Sequence, residues 1–323
     1  MGGLILRRVG QGLLVVLALS MIVFVGLYAV GDPTAILLDP QSTPDDIARF
    51  RAAMGLDQPL WRQYLLFLLH LVQGSWGTSF VYHQNAMDVI LERLPATLEL
   101  ALTAMVLALA IGVPLGILAG ATAPSRLDRW LMTGSIFGFS LPTFWVGLVL
   151  IVVFAVNLGW LPASGRGATV SVLGVGLSVL TLDGLRHILL PALNLSLFPM
   201  ALVLRLSRSG VREAMGQDFV RYARAKGLSS ARILFVHVLK RVSIPIVTVS
   251  GLQLGNVIAF SVVTETVFAW PGTGKLIIDS INQLDRPVVV GYLVIIAMLF
   301  VTINLVVDLC YAALDPRARP RTA

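Results

Sequence analysis

Residues 100–125 read LALTAMVLALAIGVPLGILAGATAPS, a run of 26 residues without a charged side chain or a histidine. A helix rises about 1.5 Å per residue, so roughly 20 apolar residues cross a hydrocarbon core of about 30 Å. This stretch is therefore long enough to cross a lipid bilayer as one helix. It decides the class of fold, which we predict to be an all-α membrane protein.

The composition of the whole chain agrees with this interpretation. Of its 323 residues, 57% are hydrophobic and only 13% are charged, and the mean hydropathy is +0.86. Soluble domains are typically about a quarter charged, so these values argue against a water-soluble enzyme. The formal net charge of +7 is explained better by membrane topology than by binding of nucleic acid.

Six stretches are long and apolar enough to cross the membrane. Another uncharged stretch, 167–182, has 16 residues rich in Gly, Ser and Thr, and we interpret it as a non-spanning outer segment. The predicted organisation is a single transmembrane domain over 1–323. Its parts are span 1 at 9–31, an outer loop with amphipathic helices at 32–95, span 2 at 96–122, span 3 at 131–157, an outer segment at 158–186, span 4 at 187–206, a cytoplasmic loop at 207–241, span 5 at 242–268, an outer loop at 269–286 and span 6 at 287–312.

The distribution of positive charge predicts the orientation, because cytoplasmic loops of membrane proteins carry an excess of Lys and Arg. With six spans, both termini lie on the same side as the 126–129 turn and the 205–241 loop. That side carries 16 Lys and Arg, against eight on the other side. Both termini are therefore expected in the cytoplasm.

The sequence lacks the signatures of an enzyme and of an ion-driven carrier. Residues 271–276 read PGTGKL, but Ala269 stands where a phosphate loop needs its first Gly and Leu276 where it needs Ser or Thr. The four histidines do not have the spacing of a metal site. Carriers that use ion gradients usually have ionisable residues inside their spans, whereas Glu99, Glu265 and Asp308 lie at the edges of the uncharged stretches.

The predicted cytoplasmic loop has the pattern of two short helices. Glu213–Lys226 contains good helix formers, Gly227 ends that helix, and Ser229 can cap a second one. Apolar side chains such as Tyr222 and Ala223 alternate with the charges. We therefore expect a compact structure with a partner surface, although a charged segment of this kind is more commonly a solvated face.

Five motifs in the chain resemble one family. RYARAKG at 221–227 resembles the cytoplasmic "EAA" loop of bacterial ABC importer permeases, in particular the dipeptide, oligopeptide and nickel branch, although Arg221 and Tyr222 replace the first two residues of the general pattern. The other motifs that resemble this branch follow in chain order: GSWGTSF at 74–80 with LPATL at 94–98, SLPTFW at 140–145, TETVFAWPGTG at 264–274 and LDPR at 314–317.

The resemblance implies a six-helix permease of the type I ABC importer fold in the bacterial inner (cytoplasmic) membrane. It also implies partners: a second homologous permease subunit, two ATP-binding cassette subunits that hold ATP and magnesium, and an extracytoplasmic solute-binding protein. This chain itself would bind no cofactor, metal or nucleic acid and would have no catalytic residue.

The resemblance favours a peptide as substrate, either a dipeptide or an oligopeptide. Glutathione and nickel complexes stay open, although the uncharged stretches contain no His or Cys that nickel would favour. Whether the second permease is a different chain or a copy of this one also stays open.

Two groups of candidate site residues follow. The resemblance implies that the ATP-binding subunits contact Glu213, Arg221, Tyr222, Ala223, Arg224, Ala225, Lys226 and Gly227. Polar residues in otherwise apolar spans are candidates for the translocation path, namely Asn194 and Ser196 in span 4, Gln253 and Asn256 in span 5, and Asn304 in span 6. The alternative for this second group is hydrogen bonding between neighbouring helices, at about 0.6 kcal/mol each.

Overall fold

The computed structural model describes residues 2–29, 43–53 and 57–314. The helices are α1 (Gly2–Ala29), α2 (Pro44–Ala53), α3 (Leu60–Val72), α4 (Ala86–Thr122), α5 (Arg126–Ser140), α6 (Thr143–Asn157), α7 (Leu182–Met215), α8 (Asp218–Ala225), α9 (Ser230–Val267), α10 (Thr273–Asn282) and α11 (Arg286–Leu314). The chain divides into two compact units, one of Met1–Glu92 with Asp279–Leu299 and the other of Arg93–Ile278 with Phe300–Ala323.

Four helices are long and apolar enough to cross a membrane, namely α4, α7, α9 and α11. The described part of the chain has a fifth such segment if α5 and α6 count as one span, and α1 contributes only the shorter apolar stretch Gly10–Gly26. Residues 30–31, the predicted end of span 1, and residues 315–317 of the LDPR motif lie outside the described residues. Helix α7 also runs nine residues beyond the predicted end of span 4 at residue 206, so 207–215 is helical rather than loop.

The predicted span 3 at 131–157 consists of two helices in the structure. Helix α5 ends at Ser140 and α6 begins at Thr143, with their axes bent by 106°. Pro142 has no backbone N–H and disfavours helical geometry at Leu141, which is extended at φ −85° and ψ 134°. Pro114 and Pro199, in contrast, lie inside the continuous helices α4 and α7.

The fold is mostly helical, but part of the outer segment is not helical. It contains an antiparallel hairpin of β1 (Val170–Val172) and β2 (Val175–Leu177). Leu173 and Gly174 connect the strands with φ angles of 51° and 83°. Positive φ at both central residues is the backbone of a type I′ turn, which matches the twist of a two-stranded hairpin.

Three glycines on α4 allow this helix to pack closely on α7. Gly112, Gly116 and Gly120 are four residues apart and therefore share one face. A Cβ atom at Gly112 would lie 2.8 Å from the carbonyl oxygen of Met200, and one at Gly120 would lie 2.7 Å from that of Arg208. Such a stripe of small residues lets two backbones approach within a membrane, where helices associate through packing.

In the unit that contains α1 and α3, an aromatic and polar contact joins these two helices. The rings of Phe24 and Tyr64 lie 5.3 Å apart, edge to face, and the hydroxyls of Ser20 and Tyr64 lie 2.9 Å apart. The opposite side of α3 exposes Trp61 and Leu69. The predicted amphipathic helix of the 32–95 loop is thus present, and it ends just before Gly74, whose φ is 73°.

Candidate functional site

The predicted helix from Glu213 to Lys226 is two helices in the structure. Helix α7 ends at Met215, Gln217 is extended at φ −83° and ψ 156°, and α8 begins at Asp218. Gly216 lies at the junction, where its weak helix propensity favours an end to α7. Glu213 therefore lies on the last turn of α7 and is not part of α8, whereas Asp218 places a negative charge at the N-terminus of α8.

The C-terminus of α8 is closed by a Schellman motif around Gly227. The amide of Gly227 donates to the carbonyl of Arg224 at 2.9 Å, and the amide of Leu228 donates to that of Ala223 at 3.2 Å. Gly227 has a φ of 79°, which glycine adopts without the steric cost that other residues have. The predicted role of Gly227 as the end of this helix is confirmed.

One face of α8 is fixed in a buried apolar cluster. Val220 and Ala223 pack among side chains from the ends of α4, α7 and α9, and Leu228 and Phe219 pack at the edge. The buried members of this cluster are Ile117, Val203, Val211, Ala214, Val220, Ala223, Ile233, Val238, Val242 and Ile246. Because α8 contributes two side chains to this cluster, it is attached to α7 and α9 as one packed element.

The opposite face of α8 is exposed. Asp218, Arg221, Tyr222 and Ala225 have the spacing of one helical stripe, which we call the outer face of α8. Tyr222 is 70% exposed, and an ion pair of 3.4 Å between Arg221 and Asp218 is exposed as well. Such an exposed ion pair contributes little to stability. A large aromatic side chain at the centre of an exposed helix face is typical of a contact surface.

Two arginines of the charged loop are used inside the protein. Arg208 pairs with the buried Asp128 of α5, with 2.8 Å between Nη2 and Oδ2, and Arg205 donates from Nε to the hydroxyl of Ser135 at 3.0 Å. These contacts fix α5 against α7. The sequence alone did not identify Asp128, because nothing local links it to a partner 80 positions away.

The break at Pro142 lies beside a cavity of about 430 Å³. The residues that line it come from α5, the break, α6, α7 and α9: Phe137, Gly138, Leu141, Thr143, Val146, Asn194, Leu195, Leu197, Phe198, Pro199, Gln253, Asn256, Val257, Phe260 and Val263. Its volume is within the usual range for sites of small molecules, roughly 300–1,000 Å³. In membrane proteins, a broken helix is tolerated where it lines such a cavity.

Three of the five path candidates meet at this cavity. The amide of Asn194 donates to the hydroxyl of Thr264 at 3.1 Å, and that of Asn256 donates to Oε1 of Gln253 at 3.2 Å. Of these three residues, Gln253 and Asn256 are at least partly exposed, whereas Asn194 is almost completely buried.

The other two candidates are not among the described residues that line this cavity. The hydroxyl of Ser196 donates to the carbonyl of Leu193 in its own helix at 2.8 Å, and Ser196 is fully buried. Asn304 is half-buried on α11. Sequence reasoning missed Thr143, which faces the cavity only because the helix breaks before it.

The sequence that resembles a phosphate loop holds a carboxylate of the chain itself. Glu265 is fully buried near the end of α9 and accepts from the amide of Lys275 at 2.9 Å and from the hydroxyl of Ser261 at 3.0 Å. A Cβ at Gly274 would lie 2.8 Å from Oε2 of Glu265, and one at Gly272 would overlap the carboxylate. The N-terminus of α10 thus accommodates a carboxyl group of the chain itself at the end of a helix where acidic groups commonly bind.

Long apolar helices, a broken helix beside a cavity and an exposed amphipathic helix at the end of the bundle define a membrane transport permease. A family model described as "Binding-protein-dependent transport system inner membrane component" matches residues 112–320, and the model of the N-terminal part of the same kind of component matches residues 1–101. The chain therefore belongs to this family of inner-membrane transport components. The family that the motifs predict is confirmed, and the chain is a permease component and not a catalytic subunit.

Relatives match over almost the full chain. The di/tripeptide transport system permease protein DppB of Pseudomonas aeruginosa is 39% identical, and the dipeptide transport system permease protein DppB of Escherichia coli K12 is 35% identical, each over 98% of both chains. The oligopeptide transport system permease protein AppB of Bacillus subtilis is 39% identical over 98% of this chain and 99% of its own.

A solved structure has a similar fold. A chain of the MetNI methionine ABC transporter in an inward-facing conformation aligns with a TM-score of 0.55 at 18% identity, over 71% of this chain and 97% of that chain. At this identity the likeness concerns the fold alone, which is that of type I ABC importer permeases.

Proposed function

We propose that this chain is one permease subunit of an ATP-driven importer that carries dipeptides or oligopeptides across the bacterial cytoplasmic membrane. The names of relatives that are 35–39% identical over nearly the whole chain support peptides as substrate. The importer would contain a second homologous permease, two ATP-binding subunits that hold ATP and magnesium, and a solute-binding protein. This chain contributes no cofactor site of its own.

The proposed topology has six spans and both termini in the cytoplasm. Its support is the distribution of Lys and Arg, 16 on the proposed inner side and eight on the outer side. A reporter that is active only outside the membrane should work when fused after Gly165, and one that is active only inside should work after Gln217. Activity of the outer reporter at Gln217 would contradict the proposed topology.

The outer face of α8 is the observation that carries the proposal of an ATP-driven importer. Because the inner face of α8 is packed against α7 and α9, a displacement of this helix moves those two helices with it. We propose that Arg221, Tyr222 and Ala225 contact an ATP-binding subunit and that Arg224 and Lys226, which are also exposed, lie at the edge of this contact. Ala223 and Gly227 keep α8 in shape, and Glu213 lies next to it on α7.

The proposed path passes the cavity beside Pro142. Its polar groups include the side chains of Thr143, Asn194, Gln253 and Asn256, which can donate hydrogen bonds to a peptide or accept hydrogen bonds from it. The role of Ser196 and Asn304 in the path stays a prediction, and neither residue is among those that line the cavity.

The experiment compares Tyr222→Ala with Arg232→Ala in the complete importer, reconstituted in vesicles with ATP. Arg232 is exposed on the first turn of α9 and is not one of the residues that form the outer face of α8. An interface tyrosine of the hot-spot class contributes about 2 kcal/mol, or roughly thirtyfold in affinity, so Tyr222→Ala should weaken binding of the ATP-binding subunits by about this factor and reduce peptide uptake.

The Arg232→Ala importer should take up labelled dipeptide at the rate of the unchanged protein. Equal uptake and equal retention of ATP-binding subunits in the two variants would show that α8 is not the contact. A complex that couples ATP hydrolysis to another solute, and not to any peptide, would overturn the proposed substrate alone.

A further inference from the structure

The outer hairpin has one apolar face. Because Val170 pairs with Leu177 and Val172 pairs with Val175, these four side chains lie on the same side of the hairpin. Val170, Val172 and Val175 are 46%, 40% and 38% exposed, and Leu173 at the tip is fully exposed. A two-stranded hairpin is marginal by itself, so an uncovered apolar face of this kind calls for an apolar surface to rest on.

The base of the hairpin is fixed to α4 by a buried carboxylate. Oε1 of Glu99 accepts from the amides of Ser178 at 2.6 Å and Val179 at 2.9 Å, while Oε2 pairs with Nη2 of Arg166 at 2.5 Å. The same Nη2 donates to the carbonyl of Gly176 at 2.5 Å. These bonds set the direction in which the hairpin leaves the helices.

The position of Glu99 also sets the depth of the hairpin. Glu99 is the last charged residue before the uncharged run 100–125, of which residues 100–122 belong to α4. This helical part is about 34 Å long, which exceeds the hydrocarbon core of about 30 Å by roughly 2 Å at each end. The base of the hairpin therefore lies at the boundary between headgroups and acyl chains.

The apolar surface of the hairpin continues onto a membrane helix. The stretch 167–182 has no charged residue, and the exposed Asp183 that follows it accepts at its Oδ2 from the amide of Ala168 at 2.7 Å. Leu180 and Leu182 are 56% and 72% exposed and extend the apolar surface to the first turn of α7.

We propose that the apolar face of the hairpin docks onto the lipid of the membrane, at the boundary between headgroups and acyl chains. Lipid fits better than a protein partner because the stretch 167–182 itself has no charge for specific recognition, lies at the depth of this boundary and is continuous with the exposed Leu180 and Leu182 at the start of a membrane helix. In this position the hairpin, which is bonded to Glu99, holds the ends of α4 and α7 at a fixed depth.

The test uses a single fluorescent label on the full chain in lipid vesicles, in a Cys310→Ser background. Leu173→Cys carries the label on the proposed docking surface, and Ser171→Cys carries it on the opposite face of the same hairpin as the matched control. Lipids with a nitroxide quencher near the headgroup should quench the label at Leu173 several-fold more than the label at Ser171.

A second label at Val175→Cys, on the apolar face, should give the same strong quenching, which guards against a local disturbance at the tip. Equal quenching at Leu173 and Ser171, or no quenching at Leu173 and Val175, would overturn the proposal. Labels at Leu173 and Val175 that lipid does not quench, and that only the solute-binding protein shields, would assign the surface to a protein partner instead.

Discussion

Replacing Gly116 by alanine tests how α4 and α7 are held together. A Cβ atom at this position would lie 2.6 Å from Cβ of Ser207 and 3.1 Å from Cα of Leu204, and it would overlap the carbonyl oxygen of Leu204. Non-bonded carbon atoms pack at about 3.5–4.0 Å. The two helices would therefore have to separate by roughly 1 Å, since both contacts belong to backbone or to the first side-chain atom and cannot rotate away.

The matched control is Gly134→Ala on α5. Gly134 is also inside a helix, but no described atom lies within 4 Å of a Cβ built there. Both substitutions gain the same helix propensity, about 1 kcal/mol, so this gain cancels in the comparison. The difference between the two variants then reports the overpacking at Gly116 alone, which we expect to be about 1–3 kcal/mol.

The assay is thermal unfolding of the purified chain in one detergent, together with peptide uptake by the assembled importer. We expect Gly116→Ala to melt several degrees below Gly134→Ala, and Ser207→Gly to recover part of this loss when combined with Gly116→Ala. Equal melting midpoints for the two alanine variants would refute the reasoning, because they would show that α4 and α7 do not pack through this glycine. A second substitution without any effect on the first would refute the contact with Ser207.

The remaining predictions concern three separate elements. Gly227→Ala should lower the free energy of unfolding by about 1–2 kcal/mol, because alanine disfavours a positive φ, and uptake should remain measurable. Gly227→Leu should abolish uptake although the protein inserts normally into the membrane. Unchanged uptake by the leucine variant would place the contact with the ATP-binding subunit elsewhere. Glu99→Gln should lower the melting midpoint by the equivalent of about 3–5 kcal/mol, because it leaves the guanidinium of Arg166 half-buried without its carboxylate, and a midpoint within a degree of the unchanged protein would contradict this. Arg208→Ala and Asp128→Ala should each destabilise the chain, and the double variant should melt no lower than the worse single one; strictly additive losses would show that the two side chains do not interact.

Features that depend on neighbours in the sequence were predictable. Most of the uncharged run 100–125 lies in the long helix α4, and Gly227 ends α8 with the backbone geometry that favours glycine. Each of these depends on hydrophobicity or on φ at one position, and both can be read from the residue type. The family motifs also predicted the fold class, because each motif is a short contiguous stretch that can be recognised from the sequence.

The break of the third span was not predictable from its proline alone. Pro114, Pro142 and Pro199 all interrupt apolar stretches, yet only Pro142 breaks a helix. The difference lies in the tertiary surroundings, because the break at Pro142 lies beside a cavity that residues of α7 and α9 also line. Such surroundings are assembled from α7 and α9, far along the chain.

The roles of the buried acids were not predictable for a similar reason. The sequence places Glu99 and Glu265 at the edges of apolar stretches, where a charged residue normally faces water. Glu99 instead accepts hydrogen bonds from backbone amides about 80 residues away, and Glu265 accepts one from a backbone amide of the loop that resembles a phosphate site. Only the folded chain supplies these donors, so residue type and position along the helix cannot distinguish a solvated acid from a satisfied one.

The RYARAKG motif at 221–227 combines two physical demands that act on opposite sides of one helix. Ala223 must be small because it packs in the cluster between α7 and α9, and Gly227 must adopt a φ of 79° to close the helix. Neither demand concerns Arg221 or Tyr222, whose side chains are exposed. Departures from the general family pattern at these two positions therefore leave the fold of α8 unchanged and alter only the surface that it presents. In the proposed contact with an ATP-binding subunit, the chemistry of that surface, one arginine beside one large aromatic side chain, is therefore the part of the motif that can vary without a change in the fold.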